Sequence, residues 1–193
     1  MCGFLEIILG PMFSGKTTRL IEIYNRYKHT KQQVIAINYT LDTRYDDKML
    51  STHDKIKIPC VFTEDIDSLL DKEDIKNADI ILINEGQFFQ DIVSSVKILV
   101  EKMNKKVYIC GLDGDFERNK FGNLLDLIPF CDNITKLHSN CHACSANAIF
   151  SHRISQESGQ VVIGSFNYVP LCRNCYNMHI STTPPIRSNK KEI

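Results

Sequence analysis

No sign of charge predominates in this chain. Its 23 lysines and arginines stand against 23 aspartates and glutamates over 193 residues, a formal net charge of zero. Without a one-signed field, nothing global draws the protein to nucleic acid or to a membrane surface. Long apolar runs are missing too, and none approaches the roughly 18 residues that a membrane-spanning helix needs. The opening Met1-Cys2-Gly3-Phe4 lacks the charged and apolar segments of a secretory signal. An intracellular, cytoplasmic location is therefore expected. There are no internal repeats beyond one paired cysteine motif. These absences leave a globular protein of one ordinary domain, or one domain with an appendage. Its hydrophobic content of 43% suffices for a core.

Cysteine is not scarce, yet eight cysteines in a reducing compartment argue against a disulfide framework. Cys2, Cys60, Cys110 and Cys131 stand alone. Cys60 and Cys110 lie in apolar runs and read as small buried hydrophobes. The other four form two knuckles, Cys141-His142-Ala143-Cys144 and Cys172-Arg173-Asn174-Cys175. Two-residue spacing lets both thiolates of a knuckle reach one ion, and two knuckles complete a tetrahedral Cys₄ zinc site. Four protein ligands leave no open position, so a structural Zn²⁺ and metal-dependent folding are expected. A redox dithiol is the alternative for a single C-x-x-C, and two copies at ribbon spacing argue against it. Ile149 to Ile154, Ser158-Gly159-Gln160 and Val161 to Gly164 suggest a hairpin between the knuckles, while His138, His142 and His179 read as surface residues. Zinc ribbons often bind nucleic acid. Between His138 and Ile180, however, the only basic residues are Arg153 and Arg173, with Glu157 the only acid. That is not the clustered basic footprint such binding needs, so no nucleic-acid partner is expected.

Gly10-Pro11-Met12-Phe13-Ser14-Gly15-Lys16-Thr17 fits G-x-x-x-x-G-K-S/T, the phosphate-cradling loop. Gly10 and Gly15 let backbone N–H groups turn inward where a Cβ would obstruct them. Lys16 brings a mobile charge to the β- and γ-phosphates of a nucleoside triphosphate, and the Thr17 hydroxyl is a ligand for Mg²⁺. The context agrees. Phe4 to Leu9 reads as a buried strand, and Leu20, Ile21, Tyr24 and Tyr27 follow at helical spacing. Strand, loop and helix in that order put phosphates at a helix N-terminus. The plainer alternative is a glycine-rich turn before an ordinary helix.

Beyond the loop, a helix is expected from Thr17 to Tyr27 or Lys28, then a strand over Val34-Ile35-Ala36-Ile37-Asn38. Tyr39 to Lys57 reads as a long polar loop. Ile58 to Phe62 suggests a short strand, and Asp65 to Leu70 and on to Ala78 suggests helix. Asp79-Ile80-Ile81-Leu82-Ile83 is a buried strand ending in Asn84-Glu85-Gly86. Ile92 to Met103 is an amphipathic helix, and Val107 to Cys110 a further strand. This alternation up to about residue 136 implies an α/β fold with a doubly wound parallel sheet. After His138 helical periodicity is absent. The division expected is a nucleotide-binding domain over 1–137, a zinc module over 138–180 and a polar tail over 181–193.

In an open α/β sheet, ligands collect at the carboxyl ends of the strands. Asn84 and Glu85 therefore sit where the loop delivers its phosphates. Glu85 is the candidate general base for a phosphoryl acceptor; a solvated loop carboxylate is the alternative. Phe88, Phe89, Phe116, Phe121 and Tyr168 stand among polar and glycine-rich neighbours. Aromatics beside turns can stack on a planar base, though each alone is more often core.

Together these stretches resemble the type II thymidine kinase family. The matching residues are Gly10 to Thr17, Asp42-Thr43-Arg44-Tyr45, His53-Asp54, Glu85-Gly86-Gln87-Phe88-Phe89, Leu112-Asp113-Gly114, Phe116, Phe121-Gly122, both knuckles and Tyr168. The resemblance implies a RecA-like P-loop sheet, mainly parallel and flanked by helices, with a small zinc-ribbon-like lasso domain. It implies transfer of the ATP γ-phosphate to the 5′-hydroxyl of thymidine, with Glu85 as base. ATP would lie against Gly10, Pro11, Met12, Phe13, Ser14, Gly15, Lys16, Thr17, Thr18, Asp42, Arg44, Asn84 and Gln87. Thymidine would meet Met12, Phe88, Leu112, Phe116, Phe121, Ser151 and Tyr168, with a lasso from about Gln160 to Tyr168 contributing Val162, Ile163 and Gly164. A homotetramer inhibited by thymidine triphosphate is implied as well.

Three departures from the family pattern stand out. Asn84 occupies a position usually held by Asp, which predicts weaker Mg²⁺ binding, with Asp113 or Asp115 as compensators. Asp115 replaces a small uncharged residue, and Gly164-Ser165 replaces paired glycines. Two other functions remain open at this point: a zinc-ribbon ATPase acting on nucleic acid, and a nucleotide-binding homologue weakened in catalysis by Asn84.

Overall fold

The structure is a computed structural model that describes residues 2–40, 49–52, 55–155, 159 and 167–182. Its centre is a sheet that begins with β1 (Phe4–Leu9), β2 (Val34–Tyr39), β5 (Val61–Thr63) and β6 (Ile80–Ile83), and is completed by β7 (Lys106–Gly111) and β8 (Asn133–Lys136). Between β2 and β5 the chain forms a small antiparallel pair, β3 (Met49–Ser51) and β4 (Lys57–Pro59). The central order is β5-β2-β6-β7-β1-β8, and every neighbouring pair is parallel.

Alternation along each strand explains why apolar residues fill both parities. Leu5, Ile7, Leu9, Ile81, Ile83, Val107 and Ile109 face a core completed by Phe89, Ile92, Val96, Leu99 and Leu124. Ile8, Ile80, Leu82, Tyr108 and Cys110 face the opposite core, under Leu20, Ile21 and Ile23 of α1 (Lys16–Tyr27). A sheet covered on both faces has no solvent side, so its strands read as continuous apolar runs. α2 (Glu73–Asn77) is closed by buried Lys105, whose Nζ donates to Lys76 O at 2.6 Å and Ala78 O at 2.5 Å. α3 (Ile92–Lys97) continues into a wider turn over Ile98–Lys102. No helix among the described residues is long and apolar enough to cross a membrane.

Several local expectations are corrected. Ile58 to Phe62 is not one strand, because β4 and β5 belong to different sheets. Asp65 to Leu70 is not a helix but a short 3₁₀ turn at Asp67–Leu69. It is capped twice: Asp65 Oδ1 accepts the Ser68 N–H at 2.8 Å, and the remote Asp91 Oδ2 accepts the N–H groups of Ile66 and Asp67, each at 2.7 Å.

After β8 come β9 (Ser139–Asn140), β10 (Asn147–Ala148), β11 (Phe150–Arg153) and β12 (Tyr168–Leu171). β9 pairs with β10, and β11 pairs antiparallel with β12, so the partner of the first hairpin arm is the segment entering the second knuckle. The expected arm, Val161 to Gly164, lies outside the described residues. The region also contains a helix, contrary to its unhelical pattern: α4 spans Arg173–Thr182. Cys175 and Tyr176 bury this helix against Cys141, Ala148 and Leu171 in a small third core.

Candidate active site

The loop that follows β1 turns on two backbone conformations. Gly15 has φ 82° and leads into α1, and Phe13 has φ 62° although it carries a side chain. A Cβ on Gly15 would meet nothing within 4 Å, so the space before the helix is open, while one on Gly10 would stand 2.6 Å from Ser14 Oγ. Ser14 Oγ is buried and has no hydrogen-bond partner. Lys16 Nζ donates to Pro11 O at 2.8 Å across the loop. An open cradle at a helix N-terminus, with an ammonium and an orphaned hydroxyl, fits an anion of phosphate chemistry.

The far side of that cradle is a polar cluster made by strand parity. Asn38, Asn84 and Cys110 follow α1-facing positions at the carboxyl ends of β2, β6 and β7. Thr17 Oγ1 donates to Asn84 Oδ1 at 3.2 Å, Asn84 Nδ2 donates to Asn38 Oδ1 at 2.8 Å, and the Cys110 thiol donates to Asn84 Oδ1 at 3.0 Å. Cys110 is thus buried as expected, yet its thiol has a polar task that composition did not reveal. Thr17 and Asn84 were expected to face each other across the phosphates; Asn38, a polar residue closing an apolar run, is the member that the sequence did not mark. The Thr17 and Asn84 oxygens converge as hard donors that fit Mg²⁺, without a formal charge between them. Asp113 bonds Lys136 Nζ at 2.6 Å, and Asp115 Oδ1 accepts the N–H groups of Glu117 and Asn119. Asp113 is thus paired with the end of β8, and Asp115 is engaged within its own loop.

Glu85, two residues beyond β6, has a left-handed conformation, φ 54° and ψ 43°, and is 9% exposed. Gln87 Nε2 donates to Glu85 Oε2 at 2.5 Å, and Gln87 Oε1 accepts from Leu112 N at 3.0 Å. The aromatic residues gather in groups. Phe88 stands edge-on to Phe121 with centroids 5.4 Å apart and stacks on Tyr39 at 5.2 Å; Phe89 is core. Phe116 lies 3.7 Å under the Arg153 guanidinium, which bonds the Tyr168 hydroxyl at 2.7 Å and also donates to Gly159 O. Arg153 is buried, and sequence reasoning counted it only as one of two cations in its region. Ser151 Oγ accepts from Met12 N at 2.9 Å, and Ser139 Oγ donates to Phe13 O at 3.1 Å. Thr18 is an exposed residue in the first turn of α1. Asp42, Arg44, His53, Asp54, Val162, Ile163 and Gly164 lie outside the described residues.

The sulfurs of Cys141, Cys144, Cys172 and Cys175 all lie within 4.8 Å of one another, and those of Cys144 and Cys172 are 3.7 Å apart. A tetrahedron of thiolates at about 2.3 Å from one ion has edges of about 3.8 Å, so the cluster could hold a structural metal. Charge leads to the same conclusion. Burial opposes ionisation of Cys141, but N–H groups of Cys172, Ala143 and Cys144 bring its thiol down to about 6. Hydrogen bonds with Cys144 and Cys172 push the Cys175 thiol up to about 12. Four thiolates this close repel one another, and a cation among them offsets that repulsion.

Comparison with known proteins agrees with this geometry. Residues 3–176 match the family model described as thymidine kinase. The chain is 40% identical over 185 residues to thymidine kinase 1 of Dictyostelium discoideum, covering 92% of this chain and 79% of that one. It is 39% identical over 175 residues to the thymidine kinase of Sheeppox virus, covering 90% and 97%. It is 35% identical over 193 residues to the cytosolic thymidine kinase of Cricetulus griseus, covering 98% and 80%. With nearly all of its described fold inside the matched span, the chain belongs to the thymidine kinase family of phosphotransferases.

Proposed function

We propose that the protein transfers the γ-phosphate of ATP to the 5′-hydroxyl of thymidine, giving thymidine monophosphate for DNA synthesis. The observation that carries this reading is the Thr17–Asn84 hydrogen bond. It sets the residue before Glu85 against the glycine loop, so phosphate and acceptor meet at one sheet edge. ATP lies along residues 10–18, with Asn84 beside it and with Asp42 and Arg44 as further contacts. Lys16 exchanges Pro11 O for the β- and γ-phosphates, and the Ser14 hydroxyl gains a phosphate oxygen. Glu85 takes the 5′-hydroxyl proton as the new O–P bond forms and the bond from Pγ to the β-phosphate oxygen breaks, releasing ADP. Mg²⁺ at Thr17 neutralises charge on the phosphate oxygens when bound.

Thymidine lies among Met12, Phe88, Leu112, Phe116, Phe121, Ser151 and Tyr168, under a lasso that includes Val162, Ile163 and Gly164. The four paired cysteines hold Zn²⁺, the metal best suited to four thiolates. Residues 138–180 act as one metal-ordered unit on the 1–137 domain, excluding water from the transfer site. Thymidine triphosphate is the feedback inhibitor of a cytoplasmic homotetramer. A nucleoside-panel assay with ATP and Mg²⁺ tests the reading. Thymidine should be the preferred acceptor, and ATP hydrolysis stimulated by DNA but not by thymidine would overturn it.

A further inference from the structure

Gln87 is 1% exposed, and both ends of its amide are engaged. The Leu112 N–H can only donate, so Oε1 must face Leu112 and Nε2 must face the Glu85 carboxylate. Asymmetric partners therefore fix the amide in one orientation. The surroundings are closed as well. A Cβ on Gly111 would stand 2.5 Å from Gln87 Oε1, and one on Gly122 would stand 2.0 Å from Gln87 O. Gly111 lets the chain pass directly against the amide, and Gly122 lets it pass against the backbone of the same residue. Glu85 has the opposite need, because its φ of 54° is an uncommon conformation for a residue with a side chain. Its direction must be secured by neighbours.

We propose that Gln87 is a positioning residue for Glu85, holding carboxylate oxygen Oε2 so that Oε1 is aimed at the acceptor hydroxyl. The inference rests on the reading of Glu85 as the base. It gives Gln87 a task other than the contact with ATP implied by family resemblance, since side-chain binding of ATP would break one of the two bonds. The amide also links the base to the Leu112 backbone. Leu112 is an expected thymidine neighbour, so the base and the acceptor's pocket share one rigid connection. A hydrogen bond donated to a carboxylate favours its ionised form. Gln87 thereby keeps the base ready to accept a proton.

Steady-state kinetics of Gln87→Met, Gln87→Glu and Glu85→Gln in the full chain test the proposal, with the pH dependence of kcat/KM recorded for each active variant. Gln87→Met keeps length and loses the hydrogen bonds. It should lower kcat by about 10- to 100-fold, the scale of a misaimed reacting group. The KM for ATP should stay within about twofold, and the acid limb of kcat/KM should move to higher pH. Gln87→Glu keeps the Leu112 bond and turns an oxygen toward Glu85. It should shift the acid limb further in the same direction, and it provides the readout if the methionine variant does not fold. A raised KM for ATP with kcat retained would overturn the proposal in favour of an ATP contact. Wild-type constants and profile in both Gln87 variants, beside an inactive Glu85→Gln, would overturn this inference alone. An active Glu85→Gln would overturn the base assignment and this inference with it.

Discussion

Thr17 and Asn84 join the first turn of α1 to the end of β6 through a neutral hydrogen bond of 3.2 Å. Asn84 is 1% exposed, and its amide is directed by Asn38 and Cys110 as well. Asn84→Asp would place a carboxylate among these groups, where an unpaired charge is costly. We expect the variant to need several-fold less Mg²⁺ for half-maximal activity and to melt at lower temperature in EDTA. Mg²⁺ titration and thermal melting check both. Superimposable curves for the two proteins would remove Asn84 from the metal's surroundings.

Glu85→Gln keeps size and removes the proton acceptor. The expected loss in kcat is about 10²- to 10⁴-fold, the usual contribution of a positioned general base. Binding of ATP and thymidine, measured by calorimetry, should survive. A loss below about tenfold would make the carboxylate a bystander.

Cys172→Ser removes one of four clustered donors beside buried Leu171. Metal content, measured by atomic absorption, should fall from about one equivalent per chain, the stoichiometry of a four-thiolate site, to near none. Thymidine affinity should fall with it. ATP affinity should weaken too, because Ser151 and Ser139 tie this region to Met12 and Phe13. Retained metal with unchanged affinities would contradict a structural role.

Gly122→Ala combines a φ of 60° with a Cβ 2.0 Å from Gln87 O. Strain and backbone collision together should cost about 3 kcal/mol or more, lowering Tm by roughly 6–12 °C for a chain of this size. Gly15→Ala is the contrast. Its φ is 82°, but a Cβ there meets only open space. It should cost about 1 kcal/mol in stability while weakening ATP binding, because the added methyl enters the cradle. Melting curves and nucleotide titrations separate the two effects.

How much of this was legible in the sequence depended on whether the determinant was local. β1, the glycine loop, α1 and β6 follow from short-range pattern, and their expected bounds lie within a residue or two of those observed. The cysteine knuckles were legible for the same reason, since ligand spacing is a property of a few consecutive residues. The turn after β5 is shorter than the helix expected there, and Asp91, which caps it together with Asp65, comes from a distant helix start. The β11 partner was missed because pairing with Tyr168–Leu171 is set by the meeting of two knuckles rather than by the intervening composition. Arg153 and Cys110 were undervalued because each looks ordinary in sequence. Their tasks are defined by Phe116 and Tyr168 in one case and by Asn84 in the other.

Leu137 N donates to Leu9 O at 2.8 Å, so the chain leaves the sheet beside the residue that enters the glycine loop. Two residues later Ser139 holds Phe13 O, and on β11 Ser151 holds Met12 N. For protein engineering, a cut at residue 138 therefore crosses two hydrogen bonds that hold the glycine loop. A chimera that takes residues 138–180 from another protein would bring foreign side chains to the two places where Met12 and Phe13 are held. Unless it keeps a hydroxyl at both 139 and 151, it should bind ATP poorly even where its thymidine-side residues are retained.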